Sequence, residues 1–281
     1  MNIARVFPRW TKATPEDELA FYDKGKSKKA LPGMFLPDID AVHISVCFTY
    51  DLARAEMLAK EWAHVAPVSM GGPAFDAPGG DFVPGRHLKP GYVITSRGCP
   101  NKCWFCSVWK REGTIRELPI TYGNNILDDN LLACSDEHIK AVFAMLKQQK
   151  MGRPMFTGGL EAARLKGWHV HYLRDVHPKE IFFAYDTADD LEPLIEAGKM
   201  LRIAGFTPAS HSMRCYVLVG YPGDTLSDAT VRLRQSIAAG FMPMAMLYRG
   251  KDGKRDPAWA KFNREWARPA IVDQKMRECE A

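Results

Sequence analysis

Tyr92-Val93-Ile94-Thr95-Ser96-Arg97-Gly98-Cys99-Pro100-Asn101-Lys102-Cys103-Trp104-Phe105-Cys106 is the segment from which the rest of the chain is read. Its first four residues make an apolar run that reads as a buried strand. Ser96-Arg97-Gly98 then turns the chain into a loop holding three cysteines, with three and then two residues between them. Three thiolates on one flexible turn can hold three corners of a cubane iron–sulfur cluster and leave its fourth iron without a protein ligand. An open iron suits a cluster that binds a small molecule, not one that only stores an electron.

Structural zinc uses four ligands, commonly from paired Cys-x-x-Cys knuckles, and no second pair exists here. Cys47, Cys134, Cys215 and Cys279 stand apart from one another and read as buried or neutral thiols. A zinc ion in the loop would have to recruit its fourth ligand from elsewhere. Seven cysteines is an odd number, and no secretory leader precedes them. Reduced thiols and a cytoplasmic location are therefore expected, without disulfides.

The 281 residues, 46% hydrophobic and 25% charged, describe a globular chain able to bury a sizeable core. No apolar run approaches the ~20 residues that span a bilayer, so no membrane partner is expected. There is no internal repeat and no low-complexity tract. A formal charge of +5 permits an acidic partner without demanding nucleic acid. The run from Lys24 to Lys29, with four lysines, reads as a solvated loop.

Behind the cysteine loop the pattern alternates helices and strands, as in repeated βα units around a parallel sheet. Ser135 caps a helix whose Ile139, Val142, Phe143 and Leu146 recur at helical spacing. Met155–Thr157 reads as a short strand ending at Gly158-Gly159. Glu180–Tyr185 reads as a strand ending at Asp186, and Arg214–Val219 as one ending in Gly220-Tyr221-Pro222-Gly223-Asp224. Thr225–Ala239 follows as a helix, and Met242–Leu247 as a strand ending at Tyr248-Arg249. Such continuous apolar strands are buried on both faces. The expectation is an α/β fold: a partial βα barrel of about five to six parallel strands over residues 89–270, with a small α/β region at 1–88 and a tail at 271–281. In such sheets reactive groups gather at the C-terminal ends of the strands. The cysteine loop and the polar strand ends then fall at one rim.

Residues 94–106 resemble the signature of the radical S-adenosylmethionine (radical SAM) superfamily: the cysteine spacing, the preceding strand and the aromatic just before the third cysteine all agree. The Gly98-Cys99-Pro100-Asn101 run is most similar to radical SAM methylthiotransferases and cobalamin-associated radical SAM enzymes. The resemblance covers the loop closely and residues 90 to 250 more loosely. It implies a 4Fe–4S cluster on Cys99, Cys103 and Cys106, with Phe105 beside the adenine of S-adenosylmethionine. Gly158-Gly159 followed by Glu161 resembles the Gly-Gly-Glu motif that holds the amino group of that cofactor, with Leu160 displacing the acid by one position. Glu161 alternatively starts a solvated helix. The run Leu218-Val219-Gly220 resembles the strand and turn whose apolar backbone lies along the adenine. The other reading is a βα turn with Asp224 near a helix start.

Asp186 is placed to hydrogen-bond a ribose or substrate group, or to cap the next helix. Tyr248 and Arg249 are substrate candidates. Trp168, His169 and His171 read as an amphipathic helix surface. The implied activity is reductive cleavage of S-adenosylmethionine to a 5′-deoxyadenosyl radical that abstracts hydrogen from an unknown substrate. The electron would come from a low-potential donor, a ferredoxin or flavodoxin, steered by the basic excess.

In the first ninety residues, Val42–Phe48 reads as a strand, Asp51 to about His64 as a helix buried along Leu52, Ala55, Leu58, Ala59 and Trp62, and Val65–Met70 as a second strand. This resembles the last βαβ piece of a cobalamin-binding domain. The chain is too short there for the whole domain and lacks the Asp-x-His-x-x-Gly run of the cobalt ligand, so a reduced supporting layer without cobalamin is expected. Pro78-Gly79-Gly80 and Pro84-Gly85 mark the linker. After Arg249 only about thirty residues remain, and Trp259, Phe262 and Trp266 at helical spacing read as a helix packed on the barrel. Two other functions stay open: a non-catalytic iron–sulfur or zinc module, and a nucleic-acid-modifying methylthiotransferase or methyltransferase, for which those aromatics could stack bases.

Overall fold

The computed structural model describes residues 1–24, 38–250 and 253–280, with no side-chain account of 279 and 280. The lysine-rich run beyond Lys24 and the side chain of Cys279 lie outside the described residues. The architecture is α/β, with two parallel sheets.

The first sheet contains β1 (Ile3–Arg9), β2 (Ala20–Lys24), β3 (Ala41–Ser45) and β4 (Val68–Gly71), in the order β2-β1-β3-β4. All its pairings are parallel. A turn of 3-10 helix, Thr49–Asp51, leads into α1 (Leu52–Trp62). Ala55, Leu58 and Trp62 of α1 pack on Ala4, Val6, Val42 and Ile44, burying one face of the sheet. Leu52 and Ala59 lie at the edge of that contact, partly buried. Asp51, itself buried, receives both Arg9 Nε (2.8 Å) and Arg9 Nη2 (2.7 Å), fastening the helix start to the end of β1. The sequence reading placed β3 and α1 but missed β1 and β2. It also set the strand ends wide, since Val46, Cys47, Phe48 and residues 65–67 lie outside the strands.

Beyond the linker the chain runs through β5 (Tyr92–Val93), β6 (Ser96–Arg97), α2 (Val108–Arg111), β7 (Arg116–Glu117), β8 (Asn125–Ile126) and α3 (Asp136–Gln148). It continues with β9 (Met155–Leu160), α4 (Gly167–Val176), β10 (Glu180–Tyr185) and α5 (Leu191–Ile203). Last come β11 (Met213–Val219), α6 (Leu226–Ala238), β12 (Met242–Leu247), α7 (Pro257–Trp266) and α8 (Pro269–Glu280). The second sheet has the order β12-β11-β10-β9-β8-β5, every neighbour parallel. Its order follows the chain without reversal, so right-handed crossovers put the connecting helices on one face. Ile126, Phe156, Ile181, Phe183, Cys215, Val217 and Val219 point to that face and join the helices in one core. Trp266, Val272 and Met276 belong to the same core, so residues 269–280, read as a tail from 271, form a packed helix.

Ser135 caps α3 by accepting His138 N, and Thr225 caps α6 by accepting Asp228 N. His169, read as a surface residue of α4, is 1% exposed. Its Nδ1 accepts Lys166 N at 3.0 Å, and burial lowers it to a pKa of about 4. His171 is exposed and pairs with Asp175. Among the described residues no helix is long and apolar enough to cross a membrane.

Candidate functional site

The cysteine loop is gripped at its base. β6 and β7 pair antiparallel, Ser96 with Glu117 and Arg97 with Arg116, closing the loop into a ring of chain. Asp128, just past β8, is 1% exposed and accepts Thr95 N (2.6 Å), Thr95 Oγ1 (2.6 Å) and Ser96 Oγ (2.8 Å). Asp129 next to it accepts Gly98 N at 2.9 Å. Gly98 has φ +89°, and a Cβ there would lie 2.1 Å from the Thr114 carbonyl oxygen, so only glycine passes this point. Inside the ring, Cys106 N donates to the Cys103 carbonyl (3.2 Å) and Trp109 Nε1 to the same oxygen (3.1 Å). The loop is thus organised by its own backbone and by two aspartates from the next strand end.

β9 does not stop at Gly158-Gly159, as the sequence suggested, but runs to Leu160. Ile181 pairs with Phe156 and Phe183 with Leu160, so Thr157, Gly158 and Gly159 bulge opposite Phe182. A Cβ on Gly158 would come within 2.3 Å of the Asp128 carbonyl oxygen. The bulge is therefore pressed against the same segment that braces the cysteine loop. Glu161 follows as the residue preceding a 3-10 turn, Ala162–Arg164. Its Oε2 receives Arg164 Nε (2.6 Å) and Asn130 Nδ2 (2.6 Å), and Asn130 Nδ2 also lies 3.4 Å from Cys99 Sγ. One amide thus touches both the first loop cysteine and the displaced acid. Asn130 Oδ1 is buried with no partner among the described residues.

Asp186, Leu218 and Tyr248 lie on the sheet face away from the helices, at the C-terminal ends of β10, β11 and β12. Asp186 Oδ1 accepts Leu218 N at 3.0 Å, and capping of the next turn falls to Asp190, which receives Thr187 N at 2.7 Å. The Leu218 carbonyl accepts Arg232 Nη2 (3.1 Å), and Gly220 N donates to Asp224 Oδ2 (2.7 Å). These backbone groups are engaged within the protein, so Leu218 and Gly220 offer a ligand contact surface rather than hydrogen bonds. Trp104, 55% exposed, meets Phe105, Tyr221 and Tyr248 with ring centroids 5.4, 5.6 and 5.8 Å away. That aromatic cluster joins the cysteine loop to the ends of β11 and β12. Arg249 is directed elsewhere, over the Tyr50 ring at 4.9 Å.

Burial pushes the Cys103 and Cys106 thiols up, and in each case the neighbouring loop cysteines add to the rise. Such thiols stay protonated at neutral pH until a metal displaces the proton. Among the described residues no three His, Cys, Asp or Glu side chains are arranged for a single metal ion. A polynuclear cluster makes a different demand, because each thiolate ligates its own iron and the sulfurs need not converge on one point. The three loop thiols at this edge are the donors that such a cluster would use. Cys134 and Cys215 are buried, Cys134 raised by burial to about 11, and neither belongs to the loop. Cys47 is exposed rather than buried, and with its pKa raised it stays a neutral thiol.

Burial raises Asp186 to about 7, with Asp190 adding to it. Between pH ~4 and ~7 the folded protein then holds a proton that the unfolded chain has lost, so stability falls as pH rises through that window. The expected loss reaches roughly 4 kcal/mol. Urea unfolding of the cluster-free protein at several pH values should show this slope, and Asp186→Asn should flatten it.

The sequence reading brought the loop, Glu161, Asp186, Leu218 and Tyr248 to one sheet edge, and missed Asp128, Asp129 and Asn130. Their signal was present: three consecutive polar residues between the apolar pairs Ile126-Leu127 and Leu131-Leu132. No protein-family model matches the chain, and no curated protein is similar to it at a significant level.

Proposed function

We propose that the chain is a radical SAM enzyme, its 4Fe–4S cluster held by Cys99, Cys103 and Cys106 and its six-stranded sheet curved as a partial βα barrel. The unreversed strand order, with helices on one face, supports the barrel reading. The observation that carries the function is the Asn130 amide, in reach of both Cys99 Sγ and the Glu161 carboxylate. It ties the cluster loop to the acid that would receive the amino group of S-adenosylmethionine. When bound, the cluster supplies the electron that cleaves the sulfonium carbon–sulfur bond and yields the 5′-deoxyadenosyl radical.

The chain's own residues bind and orient. Glu161, fixed by Arg164 and Asn130, offers a carboxylate to the ammonium group. Asp186 offers its second oxygen, free of partners among the described residues, to a ribose hydroxyl. Leu218, Gly220 and Phe105 provide the apolar contact for adenine, and the Trp104 cluster keeps water from the rim. Tyr248, on the same face, is the substrate-side residue; Arg249 braces Tyr50 in the turn before α1. Lys102 and Lys110 are exposed beside the loop and suit an acidic ferredoxin or flavodoxin, in a reducing cytoplasmic setting. Electron delivery should slow as ionic strength rises, and a rate insensitive to salt would remove that partner class.

The test is anaerobic reconstitution with iron and sulfide, reduction by dithionite, and assay of 5′-deoxyadenosine from S-adenosylmethionine. Formation of the nucleoside is expected. A brown protein that never forms it would instead support the non-catalytic iron–sulfur reading.

A further inference from the structure

The two sheets turn their helix-free faces toward a cavity of about 710 Å³. From the first sheet come Phe7, His43, Ser45, Ser69 and Gly71, all on the face opposite α1. From the second come Ile94 and Leu127, which follow the core residues Val93 and Ile126 and so face the other way. The linker closes the side with Phe75, Phe82 and Val83. The remaining wall is the base of the cysteine loop, where Arg97, Arg111 and Glu112 line the cavity. A space of this size and lining is that of a small-molecule site.

Its charge is uneven. The Glu112 carboxylate is 1% exposed and serves three guanidinium groups: Arg111 at 3.0 Å, Arg116 at 3.7 Å and Arg97 at 3.8 Å. The same carboxylate also accepts Gly79 N at 3.0 and 3.1 Å. Asp129 adds a second negative charge nearby, still leaving cation in excess. Arg97 Nε is buried and has no hydrogen-bond partner among the described residues. A Cβ on Gly79 would sit 2.6 Å from the Arg97 Cζ, so the guanidinium lies tight against glycine backbone and is held in place. Nε faces Gly79, but Arg97 lines the cavity with its nearest carboxylate oxygen 3.8 Å from Nη1, beyond hydrogen-bond reach, so an oxyanion there would supply a charge-assisted partner. Asp81, which also lines the cavity, is exposed and hydrated. His43 and His87 sit 3.3 Å apart, Nδ1 to Nε2, and burial lowers both, His87 to about 4. That pair is uncharged at neutral pH and offers one donor and one acceptor rather than a competing cation.

We infer that this cavity binds an organic oxyanion, its acidic group on Arg97 and its apolar body against Phe7, Phe82, Ile94 and Leu127. The inference stands apart from the radical SAM reading, because the loop cysteines, Glu161, Asp186 and Tyr248 do not line this cavity.

Anilinonaphthalene sulfonate, an aromatic body with one oxyanion, is the probe, and neutral phenylnaphthylamine is its control. Titrated into the anaerobically reconstituted protein, the sulfonate should bind one saturable site. Arg97→Gln should weaken it about tenfold, the worth of a charge-assisted contact, and weaken the neutral probe less than about twofold. Arg97→Lys should restore most of the sulfonate affinity. Gly71→Leu, whose new Cβ meets nothing within 4 Å, should narrow the cavity and weaken both probes without unfolding the chain. No saturable binding, equal affinity in wild type and Arg97→Gln, or full binding by Gly71→Leu would each overturn the inference. The titration needs no turnover. A protein that binds as described and makes no 5′-deoxyadenosine keeps the site and loses the reaction. One that makes the nucleoside and binds no probe keeps the reaction and loses the site.

Discussion

Cys103→Ala is expected to take S-adenosylmethionine cleavage to the background of cluster-free protein, with iron and sulfide lost in parallel. A cubane held by three thiolates has no spare ligand, and the loop has no fourth cysteine to replace the missing one. Cys99→Ala and Cys106→Ala should behave alike, since each thiolate takes its own iron. The control is Cys134→Ala. That thiol is buried against Ser96, outside the loop, and its loss should cost about 1 kcal/mol of stability while leaving the iron content unchanged. Iron analysis and nucleoside assay of the four variants check the pattern. A Cys103→Ala protein with full turnover would remove the cluster assignment.

Asp224→Ala is expected to lower the unfolding free energy by about 3–5 kcal/mol, read by urea titration. The Asp224 side chain has no exposure; it accepts Gly220 N at 2.7 Å, Thr225 N at 3.0 Å and Arg232 Nη2 at 2.8 Å. Removing it strands Arg232, 11% exposed, as an unpaired buried charge, and frees the turn after β11. Breaking a buried pair by deleting one partner is costly even where replacing both would not be. Gly220 N and Thr225 N use different oxygens of the carboxylate, so Asp224→Asn keeps an acceptor for only one of them and should fall between. Arg232 also holds the Leu218 carbonyl, so the same change should loosen the rim that would face adenine. An Asp224→Ala protein as stable as wild type would show that the turn is held by something else.

How far the sequence spoke depended on whether a signal was local. Glu180–Tyr185 and Met242–Leu247 are strands residue for residue, because a continuous apolar run of that length between glycine and polar ends has few other homes. β1 was hidden by Arg5, Pro8 and Arg9. Arg5 is 8% exposed only because Asp17 and the carbonyls of Gly85 and Arg86, about eighty residues away, receive its guanidinium. No window of sequence contains that pairing. The Gly158-Gly159 pair looked like a strand end, since glycine is a poor strand former; opposite Phe182 it is a bulge that continues the strand. His169 looked like surface because its neighbour His171 is, yet it turns inward to close the first turn of α4. The loop cysteines were legible from spacing alone, whereas Asp128 and Asn130 matter only through contacts about thirty residues away.

The proposed activity comes down to whether an iron corner held by the loop is open to S-adenosylmethionine. Electron paramagnetic resonance of the dithionite-reduced, reconstituted protein, recorded before and after adding S-adenosylmethionine, addresses this directly. The account predicts a reduced-cluster signal whose position and shape change on addition of the cofactor, with the change lost in Glu161→Ala. A cluster signal identical with and without S-adenosylmethionine, or no cluster signal in the wild-type protein, would contradict it.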